Sequence, residues 1–276
     1  AALKEQGLNA VAVDVTGHSF ELPSGTGLCF NTIHGTFGED GEVQAILDSM
    51  QMPYTGAGRE SSKVAFDKVA SKEVFLAHGV PTPVSKIVDC SAGAKLPAMS
   101  PPYVVKPPCE GSSVGVHIVH DPSEATAAME DAAKYGDQVL VEQYIEGLEL
   151  TVGVLDGVAL PIVHIAPRSG FYDMKNKYPW LNDDGGTDYY CPADLDESTT
   201  LAVQDAALAA HCALGIEIYS RVDVLLDKEG RPYVLEANTI PGMTASSLLP
   251  KAAQVAGYEF GPLCETIADI SLKHRT

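Results

Sequence analysis

Basic residues are scarce in this chain: 18 Lys and Arg stand against 37 Asp and Glu, a formal net charge of -19. That balance argues against a nucleic-acid partner, because phosphate backbones are neutralised by clustered cations. Any apolar run near the ~18 residues that a membrane span requires is also missing, so no membrane partner is expected. The six cysteines lie far apart with no CxxC pair, and no stretch reads as a secretory leader. Reduced thiols and a cytoplasmic location are therefore expected rather than a disulfide framework. Internal repeats and low-complexity tracts are absent too.

What is present suits a globular enzyme. With 276 residues, 45% of them hydrophobic, the chain can bury a sizeable core in one large domain or two to three small ones. AALKEQG reads as a helix end stopped by Gly7, and NAVAVDV (9–15) and LCFNTIHG read as strands. GEVQAILDSMQ carries Val43, Ile46, Leu47 and Met50 at helical spacing, and SSKVAFDKVASKEVFLAHG reads as one helix ended at Gly79 before PTP. YVVKP, GVHIV, VLVEQYI, LTVGVL and LPIVHIA predict strands; DPSEATAAMEDAAKYG and LDESTTLAVQDAALAAHCALG predict helices; residues 168–190 read as a long polar and aromatic loop. Two further helices close the chain after YSRVDVLL and RPYVLEAN. The alternation predicts an α/β (α+β) architecture with more than one layer set.

SRVDVLL and RPYVLEAN flank the turn-rich DKEG (227–230) and so predict an antiparallel hairpin. If Asp227 faces Gly230, Asp223 lies opposite Val234 and diagonal to Glu236. Alternation then puts Arg221, Asp223, Glu236 and Asn238 on one face and Val222, Val224, Leu226, Tyr233, Leu235 and Ala237 on the other. Two carboxylates at ~4 Å repel by about 4 kcal/mol at an effective dielectric near 20. Either one takes up a proton or a cation sits between them. Two carboxylates and an amide oxygen are the hard donors that Mg²⁺ uses. The alternative is an Arg221–Glu236 ion pair on a solvated face, with Asn238 merely starting the turn; a one-residue slip would separate the acids.

PPYVVKPPCEGSSVGVHIV places Lys106 at the end of an apolar strand, before the small residues of Glu110 to Gly115. Such residues let backbone N–H groups wrap phosphate oxygens while a lysine adds charge. No GKS or GKT follows, so this is not a Walker A loop. Taken alone, a glycine-containing hairpin turn with a surface lysine is the better explanation; beside a metal site, a nucleoside triphosphate explains more.

In order, HGTFGEDGEVQ, MPYTGAG, FDKVASK, VVKPPCEGSSVGV, VEQYIEGLEL, FYDMKNKY, RVDVLLD and LEANTIPGMTASSLLPKAA resemble the motifs of the D-alanine–D-alanine ligases of the ATP-grasp superfamily. The resemblance implies three domains. These are an N-terminal substrate domain (1–67), expected to lack its first strand and glycine-rich loop here, a central ATP-grasp domain (68–148), and a C-terminal domain (149–276) with the metal and substrate site. It implies ATP-dependent joining of two D-alanine molecules through an acyl phosphate, for peptidoglycan precursors, by an expected homodimer.

Position by position, the resemblance puts Lys68, Lys106, Ser113 and Lys177 on the phosphates of ATP, Glu142, Gln143 and Ile145 at the base, and Glu149 on the ribose. Asp223, Glu236 and Asn238 would hold two Mg²⁺ ions, with Mn²⁺ as a substitute. Arg221 and the N–H of Gly242 would stabilise the tetrahedral centre, Ser247 and Leu248 the carboxylate of the second amino acid; His34 would lie near the first. Ser112 and Tyr178 would close a loop over the site. Structural alternatives exist: His34 as a turn histidine, Tyr178 as loop packing, Ser247 as a helix cap, Glu142 as an ordinary strand residue. Ser246 stands where the motif usually has histidine. A ligase joining D-alanine to D-lactate is the alternative activity, against which Tyr178 argues because those relatives resemble one another in carrying histidine there. A non-catalytic nucleotide-binding remnant is the alternative of another class.

Overall fold

The computed structural model describes residues 1–168 and 186–276. Lys177 and Tyr178 lie outside the described residues. The first segment holds helices α1 (Ala2–Glu5) and α2 (Glu42–Ser49) and a small cluster of Val43, Leu47 and Tyr54 joined by Phe20, Leu22, Ile33 and Phe37. Gly7 ends α1 as expected: its φ is +82°, and Leu8 N donates to Leu3 O while Gly7 N donates to Lys4 O, a glycine-dependent stop. Residues 9–15 differ from expectation, carrying no β-pairing. Apolar alternation gives a strand only its propensity; a ladder gives it hydrogen bonds, and no described neighbour supplies one. LCFN pairs only through a single parallel bridge between Cys29 and Tyr54.

The expected helix over residues 61–79 is two: α3 (Arg59–Phe66) and α4 (Lys68–Ala77). The break falls at Asp67, whose backbone is extended and whose carboxylate accepts from Val69 N and Ala70 N. An aspartate that caps a helix start this way competes with continuation of the preceding helix. Lys68 is thereby the first residue of a new helix.

Two antiparallel sheets follow. The smaller, of order β1-β4-β2-β3, uses β1 (Ser85–Asp89), β2 (Tyr103–Lys106), β3 (His117–Val119) and β4 (Gln138–Gln143). Tyr103, Val105, Val119, Val139 and Val141 point to α5 (Ala125–Ala132), whose Ala125, Ala128, Met129 and Ala132 complete a dry core. Fully burying a side chain such as Met129 stabilises by about 1.5–3 kcal/mol. Strand alternation leaves Val104, Lys106, Ile118 and Glu142 on the other face.

The larger sheet has the order β10-β9-β5-β7-β8, with β6 (Val158–Ala159) beside β5. Its strands are β5 (Gly147–Leu155), β7 (Val163–Pro167), β8 (Thr187–Tyr190), β9 (Tyr219–Asp227) and β10 (Pro232–Asn238). One core joins Leu150, Val152, Val222, Val224, Val234 and Ala237 to α6 (Glu197–Ala213) and to Ala65 and Phe75 of α3 and α4. A second core holds α7 (Leu248–Val255) and α8 (Phe260–Arg275) through Leu249, Ala252, Leu263 and Ile267. Among the described residues no helix is long and apolar enough to cross a membrane.

Candidate active site

Between the sheets lies a cavity of about 360 Å³, with Val104, Ile118, Ile145, Leu148, Leu225 and Leu235 among its apolar lining. Lys68, Lys106, Asp223 and Glu236 supply charge to the same cavity, and the 143–149 segment crosses its wall. An apolar slot with a few convergent polar groups is the general form of a ligand site.

The acids meet by a route the sequence reading did not foresee. Pro232 pairs with Leu226 and Val234 with Val224, but the register then slips by one residue, so that Glu236 pairs with Asp223 and Asn238 with Arg221. The irregularity between Val234 and Glu236 is a β-bulge. Without it Glu236 would face Val222 and point into the core; with it, the acids are direct rather than diagonal neighbours. It also corrects the expected faces: Val234 joins the core, and Leu235 lines the cavity.

Two protein cations hold this pair. Arg221 Nε and Nη2 donate to Asp223 at 3.1 Å each, and Lys68 Nζ lies 3.2 Å from Glu236 Oε2. Arg221 therefore pairs with Asp223 on its own strand. Thr151 Oγ1 also donates to Asp223 Oδ1 at 2.6 Å, and Asn238 Nδ2 donates to Asp223 Oδ2 at 3.1 Å. Among the described residues no group of three or more His, Cys, Asp or Glu gathers. The donor set is instead two carboxylates and an amide, hard oxygens that fit Mg²⁺ and leave room for phosphate and water ligands.

Lys68 Nζ also donates to the carbonyl of Glu110 at 2.7 Å, tying α4 to the loop after β2. In that loop Ser112 (φ +53°) and Ser113 (φ +59°) are successive left-handed residues, a tight curl that non-glycine side chains seldom adopt. Both line the cavity.

Glu142, expected at the base, lines the cavity. Its carboxylate is 3% exposed and stands 2.8 Å from both Lys72 Nζ and Lys106 Nζ. Burial works to raise its pKa, but the two ammonium groups outweigh that and hold it below the usual carboxylate range. Around it Gln143, Tyr144 and Ile145 face the cavity. Lys72 was missed from sequence. The signal was the spacing DKVASK, which puts Lys68 and Lys72 on one helix face.

Gly242, Ser247 and Leu248 follow β10 in the chain, and His34 lies near Ile240 and Arg221. His34 is exposed, with Nδ1 3.2 Å from Glu39 Oε1, and that hydrogen bond raises its pKa above the ordinary range. Gly242 touches Ser247: a Cβ there would stand 2.9 Å from Ser247 Oγ. Ser247 occupies the N-cap position of α7 yet makes no capping bond; its Oγ accepts from Thr244 N at 3.1 Å and lies 2.8 Å from Thr244 Oγ1. Leu248, the first residue of α7, is buried.

Comparison with known proteins agrees with this geometry. Residues 4–57 match the family described as D-ala D-ala ligase N-terminus, and residues 90–269 match D-ala D-ala ligase C-terminus. The D-alanine–D-alanine ligase of Methylacidiphilum infernorum is 47% identical over 270 residues, covering 98% of this chain and 87% of that protein. A crystal structure of D-alanine–D-alanine ligase from Bacillus anthracis has a TM-score of 0.81 at 37% identity, covering 91% of this chain and 82% of that one. Another from the same organism, complexed with ATP, has a TM-score of 0.78 at 33% identity over 90% of this chain and 80% of that one. The fold is ATP-grasp. The chain belongs to the D-alanine–D-alanine ligase family.

Proposed function

We propose that the chain joins two D-alanine molecules into D-alanyl-D-alanine at the expense of ATP, supplying peptidoglycan precursors in the cytoplasm. The observation that carries the reading is the facing pair Asp223 and Glu236, at the wall of a cavity that also presents Lys68 and Lys106. A triphosphate tail needs cations beside an apolar base slot, and the presence of Lys68 and Lys106 among apolar lining residues supports that reading. The ATP complex of the similar Bacillus anthracis enzyme supports the same ligand.

In this reading the base stacks between the apolar walls against the backbone of Gln143 to Ile145, with the ribose near Glu149. Lys68 and Lys106, with the curled Ser112–Ser113 loop, hold the phosphates. Asp223, Glu236 and Asn238 would hold Mg²⁺, or Mn²⁺ in its place, whose charge when bound offsets that of the phosphate oxygens. One D-alanine carboxylate oxygen attacks the γ-phosphorus, the bond to the bridging oxygen of ADP breaks, and an acyl phosphate results. The amine of a second D-alanine then attacks the acyl carbon, loses a proton, and inorganic phosphate leaves.

Arg221 and the N–H of Gly242 are suited to the developing oxyanion. The free start of α7 at Ser247 and Leu248 suits the second carboxylate, since helix N-termini attract anions. His34 is assigned to the first D-alanine. Lys177 and Tyr178 keep their proposed phosphate and loop-closing roles from family resemblance. Family resemblance also supports a homodimer and the division 1–67, 68–148 and 149–276; in its favour, one sheet ends at Gln143 and the next begins at Gly147.

The test is phosphate release from MgATP with D-alanine, D-lactate or L-alanine. Release with D-alanine alone is expected. No release with D-alanine, while ATP still binds, would overturn the reading.

A further inference from the structure

A row of polar groups runs inward from Lys106 and Glu142 at the cavity lining, and its inner members, Lys72 and Thr82, take no direct part in the chemistry above. Lys72, on α4, is 2% exposed and does not line the cavity. Its Nζ stands 2.8 Å from Glu142 Oε1 and donates to Thr82 Oγ1 at 2.6 Å. The other oxygen of Glu142 holds Lys106 at 2.8 Å. On the far side, Thr82 Oγ1 donates to the carbonyl of Val234 at 2.8 Å, and Val234 N donates to Pro81 O at 2.8 Å. Val234 is the last residue before the bulge that turns Glu236 toward Asp223.

The row thus runs from Lys106 through Glu142, Lys72 and Thr82 to Val234. It begins on the small sheet, passes through α4 and ends on the outer strand of the large one. Three charged groups are desolvated to build it. Burial drives the Lys72 pKa down to about 8 against the pull of Glu142, a sign of how unfavourable the location is for an ammonium. Apolar side chains of similar volume usually serve stability as well as a buried ion network does. In some proteins a buried ion network of that cost fixes geometry instead of adding stability.

We propose that Lys72 is a positioning residue for nucleotide binding: through Glu142 it sets the Lys106 ammonium, and through Thr82 it fixes the bulge that aims Glu236. The phosphate lysine of one sheet and the metal-binding carboxylate of the other are then held at one separation. The proposal rests on the reading of Lys106 and Glu236 as nucleotide and metal contacts. It adds a residue that touches neither.

The test compares wild type with Lys72→Met and Thr82→Val by titration with a fluorescent ATP analogue plus Mg²⁺, and by steady-state kinetics. Lys72→Met is expected to weaken nucleotide binding about tenfold, about 1.4 kcal/mol, while the KM for D-alanine stays within about twofold and the circular dichroism spectrum is unchanged. Thr82→Val should act in the same direction by about threefold, and the double variant should lose no more than Lys72→Met alone, since members of one row are not additive. If Lys72→Met does not fold, Thr82→Val decides. Unchanged nucleotide affinity in the folded variants, or losses that multiply in the double variant, would overturn the proposal while leaving the ligase reading intact. Wild type that binds no MgATP would overturn both.

Discussion

Asp223 stands directly across the ladder from Glu236, and the two are balanced by different cations, Arg221 on one and Lys68 on the other. That arrangement lets two acids share one face before any metal arrives. Replacing Glu236 by Gln keeps shape and removes charge. We expect turnover to fall at least about a hundredfold, the scale for losing one group of a preorganised electrostatic site, and Mg²⁺-dependent ATP binding to weaken. Unchanged kinetics would refute the metal assignment.

Asp67 is the hinge between α3 and α4. Asp67→Ala removes the acceptor for Val69 N and Ala70 N, a loss of about 1 kcal/mol for a typical N-cap. Because Lys68 is the next residue, ATP affinity should fall as well. Urea denaturation and an ATP titration check the two halves separately; a stability loss without any change in affinity would uncouple the cap from the site.

His211 gives the protein a built-in acid sensitivity. It is buried against Ser220 Oγ at 2.8 Å, and burial pushes its pKa down to about 4 from the ordinary 6.5, with Glu217 opposing. The unfolded chain takes up a proton near pH 6.5 that the folded chain refuses until about pH 4. Stability from this group is therefore complete above pH 6.5 and is lost as pH falls toward 4, by roughly 3 kcal/mol at 1.36 kcal/mol per unit. Between pH 7.5 and 5, wild type should lose about 2 kcal/mol more than His211→Gln by chemical denaturation. Equal losses would show that His211 titrates normally.

Gly147 starts β5 at the cavity wall, where a Cβ would collide with the carbonyl of Leu226. Gly147→Ala must push β5 from β9. We expect about 1–3 kcal/mol of destabilisation, typical of overpacking, and a severalfold higher KM for ATP. A variant with wild-type melting temperature would show that the strands yield without strain.

Most strands after residue 80 were legible because apolar alternation and flanking glycines or prolines mark a ladder. The helix stops at Gly7 and Gly79 were legible for the same local reason, a residue at ease with positive φ. Asp67 was not: its polar side chain sits within a continuous apolar rhythm, and only the cap bonds distinguish a break from an exposed turn. The common face of Asp223 and Glu236 was read correctly with a register that was off, because a bulge leaves no reliable mark in sequence. Lys72 and Thr82 stayed hidden, since their partners Glu142 and Val234 are far along the chain and only tertiary packing joins them.

The segment at Pro81–Thr82 has an effect on solution behaviour. β10 is the outermost strand of its sheet, and its outer rim would offer a template on which a second molecule could lay a strand. Pro81 and Thr82 occupy the amide and carbonyl of Val234 instead, and prolines at 81 and 83 bring no N–H of their own to extend a ladder. That rung of the rim is thus closed to an incoming strand, while Glu236 two residues on still faces the cavity.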